Sequence, residues 1–223
     1  MGGVLRKTVI FLGLLAAAAG VSGQSLYHDR HTAVGGGGGF LLLFGDIGSM
    51  GAGYDLNLQV VQHLDNTWAM RLLIQLGNAS DSDEGTPNAG RDFAYSSSVY
   101  RISVQGAYLF YRKVMRGYSK MGLLRYWNKW QAEVLAGPGV IGYHVTPGGR
   151  LTEELMTRSH GNGFILPVGV GVQYGINGSL AVRGELMPVF IFSDHVDGYA
   201  SPHSDSNDFM YSISVSVIYT LSQ

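Results

Sequence analysis

There is no cysteine in the 223 residues. That excludes a lipid-anchored N-terminal cysteine, a disulfide framework and any thiol nucleophile. Charge is sparse, at 14% of residues, and the formal net charge is -1. No general attraction to nucleic acid follows from that balance. Beyond residue 23, no stretch approaches the ~18 uncharged apolar residues that a transmembrane helix needs. No Gly-x-Ser-x-Gly element occurs, so the nucleophile elbow of one hydrolase class is absent.

Glycine (33 residues) and tyrosine (13) are abundant. Many turns, aromatic belts and few surface charges suit a membrane β-barrel. At the N-terminus, Arg6 and Lys7 precede the apolar run Thr8 to Ala19 and the small residues Gly20 to Gly23. This reads as a secretory signal peptide, 1–23, expected to be removed. Residues 24–223 then form one domain.

From Phe209 onward, Phe209, Tyr211, Ile213, Val215, Val217, Tyr219 and Leu221 alternate with Met210, Ser212, Ser214, Ser216, Ile218 and Thr220. Strict period two marks a strand with one apolar and one polar face. Six further segments alternate in the same way. They begin near Tyr54, Trp68, Tyr100, Trp130, Phe164 and Leu180. A less regular first strand covers roughly Thr32 to Gly45, where Gly35 to Gly39 carries no pattern. Asp65–Asn66 and Asn177–Gly178 are tight-turn signals. The expected fold is all-β: an eight-stranded antiparallel transmembrane β-barrel with a plugged interior. Both termini are expected in the periplasm of a Gram-negative bacterium, with short turns there. The long connections Gly77 to Ala94, Thr146 to Asn162 and Asp194 to Asp208 are then expected outside the cell. Trp68, Phe110, Trp130, Tyr174 and Tyr219 map to one end of the strands, and Phe44, Tyr54, Tyr100, Phe164, Phe192 and Tyr211 to the other. Two aromatic belts fit a bilayer with two interfaces.

The polar face places Asp55, Glu133 and Glu185 with Arg71, Arg101 and Arg183 inside, joined by Gln59, Gln75, Gln105 and Gln131. Three acids and three guanidinium groups are expected to neutralise one another, since a buried unpaired charge costs several kcal/mol. A plugged interior without a pore follows; the alternative is a proton or ion path.

Three other stretches carry candidate chemistry. Ser193 to Asp208 holds two histidines and four aspartates, which could bind a divalent metal, but the spacing matches no defined ligand set. The same Ser, His and Asp residues could serve a lipid-modifying enzyme, again without a motif. The plainer expectation is a polar, solvated loop with no metal and no cofactor. The loop Asn78 to Ala94 sets Asp81, Asp83, Glu84 and Asp92 against Arg91 alone, which reads as a solvated acidic loop. The connection Arg112 to Lys129 is long, although it falls on the periplasmic side. It carries Arg112, Lys113, Arg116, Lys120, Arg125 and Lys129 with no acid, interleaved with aromatics including Trp127. It either docks an acidic partner or anionic lipid, or folds against the barrel mouth.

The block Trp68 to Tyr111, with Leu166 to Ile176 and Phe190 to Leu221, resembles the PorG-type outer-membrane β-barrel family. Members of that family include a component of the type IX secretion apparatus. The matching stretches are Asn88-Ala89-Gly90-Arg91-Asp92-Phe93, and Phe192-Ser193-Asp194-His195-Val196-Asp197 before Asn207-Asp208. His195 stands where members usually carry tyrosine. Arg101 stands where they often carry an acid. The resemblance implies a non-enzymatic accessory barrel in the outer-membrane lipid. It would contact a periplasmic ring lipoprotein and its ring partner, and take neither nucleic acid nor a small-molecule substrate. Surface adhesion through the outer loops is the remaining alternative.

Overall fold

The computed structural model describes residues 31–45, 47, 50–65, 67–86, 89–110, 115–119, 122–126, 130–151, 159–177, 179–192, 196 and 208–221, with backbone alone at 91, 115–119 and 122–126. The expected signal peptide lies outside these residues. The strands are β1 (Thr32–Phe44), β2 (Gly51–His63), β3 (Trp68–Ser82), β4 (Phe93–Leu109), β5 (Met115–Ser119), β6 (Gly122–Tyr126), β7 (Trp130–Ala136), β8 (Gly139–Gly149), β9 (His160–Gly175), β10 (Leu180–Ile191) and β11 (Phe209–Leu221). A single turn of 3-10 helix covers Ala89–Arg91.

β7 and β8 hold one continuous register against β4 on one side and β9 on the other, so they are two halves of one stave. Eight staves then close into a ring, because β11 pairs with β10 and also with β1 over thirteen register pairs. Period-two alternation works here because a closed ring satisfies every backbone group between neighbours and leaves no edge in lipid. The register sets the shape. From Thr32 the partners run Gln62, Met70, Gly106, Ala136 and Val168, which stands opposite Pro188, then Tyr211 and Leu42. One circuit therefore climbs ten residues, about 33 Å, against about 38 Å measured perpendicular to the eight strands, which tilts them by about 40°.

Two connections at the end that carries the strand termini are short. Both are closed by the same device. Asp65 Oδ1 accepts from Thr67 N at 2.6 Å and Trp68 N at 2.7 Å. Asn177 Oδ1 accepts from Ser179 N at 2.9 Å and Leu180 N at 2.7 Å. A short polar side chain that bonds its own backbone two or three residues on turns the chain. The third connection at this terminal end is long and holds the β5–β6 hairpin, a separate two-stranded sheet.

The outer face is apolar throughout the middle of the staves; Leu58 is 66% and Phe164 73% exposed. In water that surface would be a large aggregation hazard; in lipid it is the expected exterior. Aromatics gather in two rings. Trp68 stacks edge-on with Tyr108 (5.1 Å), and Trp130 packs on Tyr174 (4.8 Å) at the terminal end. Phe44, Tyr211, Phe209 and Phe190 interlock at the distal end. Along β9, Phe164 and Tyr174 lie ten residues apart, which at that tilt separates the rings by about 25 Å, the height of an apolar membrane band.

Glycine has a strict role at the closing seam. A Cβ at Gly37 would collide with the carbonyl oxygen of Val215, and one at Gly39 with the carbonyl oxygen of Ile213. These inward positions let β1 approach β11 closely enough to close the ring. Prolines cross the staves from β7–β8 through β10. Pro138, Pro167 and Pro188 stand in the interiors of paired staves, where each removes one ladder donor.

Two expectations need correction. Two of the three distal connections are shorter than the sequence implies, because β3 runs on to Ser82, β4 starts at Phe93, β8 reaches Gly149 and β9 starts at His160; the third is not, since β10 ends at Ile191 and β11 starts at Phe209. The interior is not polar from end to end. Met210 and Ile218, on the serine face of β11, are buried in apolar clusters.

Candidate functional site

The lumen is built in three layers. At the terminal end, Ala33, Val61, Ala69, Ala107, Leu109, Leu135, Ala181 and Ile218 form a thin apolar layer, half of it alanine. At the distal end a larger apolar core includes Leu41, Leu43, Tyr95, Val99, Tyr143, Val145, Ile191 and Met210. Between them lies a layer of buried charge.

Six ionisable side chains make three ion pairs there. Arg71 on β3 meets Glu185 on β10, which is four staves away and therefore diametrically across the ring. Arg101 Nη2 lies 3.3 Å from Asp55 Oδ2, spanning β3. Arg183 Nε lies 3.1 Å from Glu133 Oε1, spanning β9. Amides and hydroxyls join the pairs into a network. Gln59 Oε1 accepts from Arg183 Nη1 at 2.9 Å and Arg71 Nη1 at 3.3 Å. Gln105 Oε1 accepts from Arg71 Nε at 2.9 Å and also from its Nη2. Gln173 on β9 accepts from Arg183 Nη2 at 2.9 Å. Asp55 Oδ2 accepts from Gln75 at 2.8 Å and Ser212 at 2.5 Å. Inward parity on each tilted stave brings the six together. Cations matched one to one with anions, and joined by amides, brace the ring across its lumen.

The distal mouth is closed by single aliphatic residues from three different connections. Ile47, Leu151 and Val196 are all buried in the distal core. Val196 is fixed by its backbone: Asp208 Oδ2 accepts its N–H at 2.6 Å, and Ser97 Oγ donates to its carbonyl at 2.8 Å. Asp81, read from sequence as part of a solvated loop, lies in β3 and accepts from Met50 N at 2.8 Å. Asp83 is fully buried. Asp92 faces Arg150 of another connection at 3.6 Å in an exposed pair. Asp81 and Asp83 are therefore built into the rim, while Glu84 and Asp92 stay exposed to water. These rim residues escaped the sequence reading, because one aliphatic residue in a polar loop has no periodicity.

The other candidates divide. Of the basic stretch, Arg116 and Arg125 are Cα register partners in the β5–β6 hairpin. Arg112, Lys113, Lys120, Trp127 and Lys129 lie outside the described residues, as do His195, His203, Asp194, Asp197 and Asp205. Among the described residues no group of three or more His, Cys, Asp or Glu side chains could hold a metal ion.

No family model matches this chain, and no curated protein matches it. Solved structures do. Neisserial surface protein A is 12% identical, with a TM-score of 0.53, covering 85% of this chain and 97% of its own. A major outer membrane protein from Thermus thermophilus is 14% identical, with a TM-score of 0.51, covering 87% and 100%. The outer membrane enzyme PagL gives a TM-score of only 0.41, too low to bear on activity. At these identities the likeness establishes architecture: the chain has the fold of the small outer-membrane β-barrels.

Proposed function

We propose that this protein is a non-conducting, non-enzymatic outer-membrane barrel that anchors a periplasmic assembly of the type IX secretion kind. Its terminal end faces the periplasm. The observation that carries this reading is the β5–β6 hairpin. At an end where the other two connections are short and self-closed, the chain builds a separate two-stranded sheet. An isolated hairpin is marginal in water. Like charges at directly opposite register positions weaken a strand pair further, and Arg116 and Arg125 are Cα register partners. A stretch with six cations and no acid is stabilised by an acidic partner, such as a lipoprotein of a periplasmic ring. The filled lumen supports a scaffold over a channel.

The test replaces Arg116, Lys120 and Arg125 by glutamate in the cell of origin. The barrel should still reach the membrane folded, as judged by its heat-modifiable gel migration. Co-purification of the ring lipoprotein and secretion of cargo should both fall sharply. Normal secretion with normal co-purification removes the hairpin from the docking role. A second reading, surface binding through the distal rim, draws on the hydrogen bonds of Asp81 to Met50 and of Asp208 to Val196 there. Shortening residues 84–88 while keeping Asp81 and Asp83 would abolish ligand binding on that reading and leave secretion intact on the first.

A further inference from the structure

Each of the four histidines among the described residues stands directly across from another histidine. The two pairs differ. At the terminal end, His31 and His63 stack face to face, with ring centroids 4.0 Å apart and planes inclined by 20°. Stacked rings point their nitrogens past one another. At the distal rim, His144 on β8 and His160 on β9 are register partners. Both are exposed and on the outward face of the barrel.

The ladder decides what the distal pair can do. The Val145 N–H donates to Ser159 O at 2.7 Å, so the adjoining pair, His144 with His160, occupies a non-hydrogen-bonded site. There the Cβ atoms approach to about 4.5–5.5 Å and the side chains stand side by side. Two imidazoles on such a base can converge on one ion at about 2.0–2.1 Å each. His160 is already oriented: its Nδ1 lies 3.2 Å from Ser159 Oγ, which leaves Nε2 for another partner. A hydrogen-bond acceptor on the rear nitrogen fixes the tautomer and orientation of a ligating histidine, and Ser159 Oγ stands in that place here. The row below is fixed by Tyr100 Oη donating to Asn162 Oδ1 at 3.1 Å. The pair therefore sits just above an aromatic residue of the distal ring, at the polar edge of the bilayer.

We propose that His144 and His160 form a bidentate site for one borderline divalent transition metal, Zn²⁺ or Cu²⁺, at the outward face of the distal rim. Imidazole selects these ions over Ca²⁺ and Mg²⁺, which want oxygen. Two protein ligands leave open positions for water or an anionic oxygen.

The test titrates Zn²⁺ alone into the full mature barrel, folded in detergent and free of any histidine tag, by calorimetry. Saturable binding of one ion per barrel is expected. His144→Gln or His160→Gln should each weaken it by about tenfold or more, because the second ligand acts at high effective concentration once the first is bound. With Cu²⁺ as probe, the electron paramagnetic spectrum should show two coordinating nitrogens and lose one in either variant. Both positions are exposed, so folded migration should be unchanged. His195→Ala and His203→Ala should bind as the parent does. Binding that survives in the double glutamine variant, binding lost with His195 or His203, or no saturable uptake would each overturn the assignment.

Discussion

Replacing Glu185 by alanine removes the anionic end of the bar that crosses the lumen. The two side chains of that pair are 0% and 2% exposed, so water cannot take the place of the carboxylate. Breaking one partner of a buried pair costs about 3–5 kcal/mol, most of it from the charge left behind. Arg71 keeps its bonds to Gln105 and Gln59, which places the loss near the lower end, about 3 kcal/mol. With a urea slope of about 2 kcal/mol per molar, the midpoint should fall by about 1.5 M. Arg71→Met should cost a similar amount, since it strands Glu185. The double variant Arg71→Met/Glu185→Leu is the decisive member, because replacing a whole buried pair by apolar groups is often neutral. Its stability should return to within about 1 kcal/mol of the parent; against Arg71→Met and the matching single Glu185→Leu, each losing about 3 kcal/mol, that is a coupling energy of about 5 kcal/mol. The assay is urea unfolding of the refolded barrel in lipid vesicles, followed by tryptophan fluorescence and by retention of the compact gel form. If each single variant loses less than about 1 kcal/mol, or the double variant loses the sum, the brace does not exist in the form described.

The lipid face gives a second test: Leu58→Arg, at mid-stave and exposed, should lose about 2–4 kcal/mol in vesicles, measured by the same unfolding assay. Gly39→Ala puts a methyl group on Ile213 O and should block closure of β1 on β11, seen as loss of the compact band on an unheated gel. Pro138→Val restores a ladder donor beside Val104 and should raise stability by about 0.5–1.5 kcal/mol in urea titration. In planar bilayers the purified parent barrel should give no unitary current steps, because both ends of its lumen are filled by aliphatic side chains; regular steps would refute that.

Much of the architecture is legible in the chain itself. Tyr211 to Tyr219 alternate because one neighbour is lipid and the other a serine-lined lumen, and Asp65 and Asn177 announce the turns they close. Where both neighbours are apolar, the signal vanishes. Phe40-Leu41-Leu42-Leu43-Phe44 reads as one greasy run, yet Leu41 and Leu43 point into the distal core while Phe40 and Phe44 point to lipid. Gly35 to Gly39 has no side chains to show a period at all. Parity told which charges face inward but not their height. Only the ten-residue climb of the ring brings Arg71 level with Glu185 on the far wall. Ile47, Leu151 and Val196 were invisible for a different reason: each is one apolar residue whose neighbours are polar or glycine, and its burial depends on a mouth that exists only after closure. The cross-strand histidines needed the β8–β9 register, which sixteen residues of sequence separation conceal.

The seam between β1 and β11 joins the two most distant staves of the chain, through thirteen paired rows. Until both have been delivered, the cylinder is an unrolled ribbon with two bare margins, and hydrocarbon offers no solvent for either. Entry into the bilayer must therefore await the last stave and proceed as a concerted event, slowed by the chain entropy of bringing such remote segments together. Before that moment the polypeptide carries its whole apolar face with no lipid to cover it.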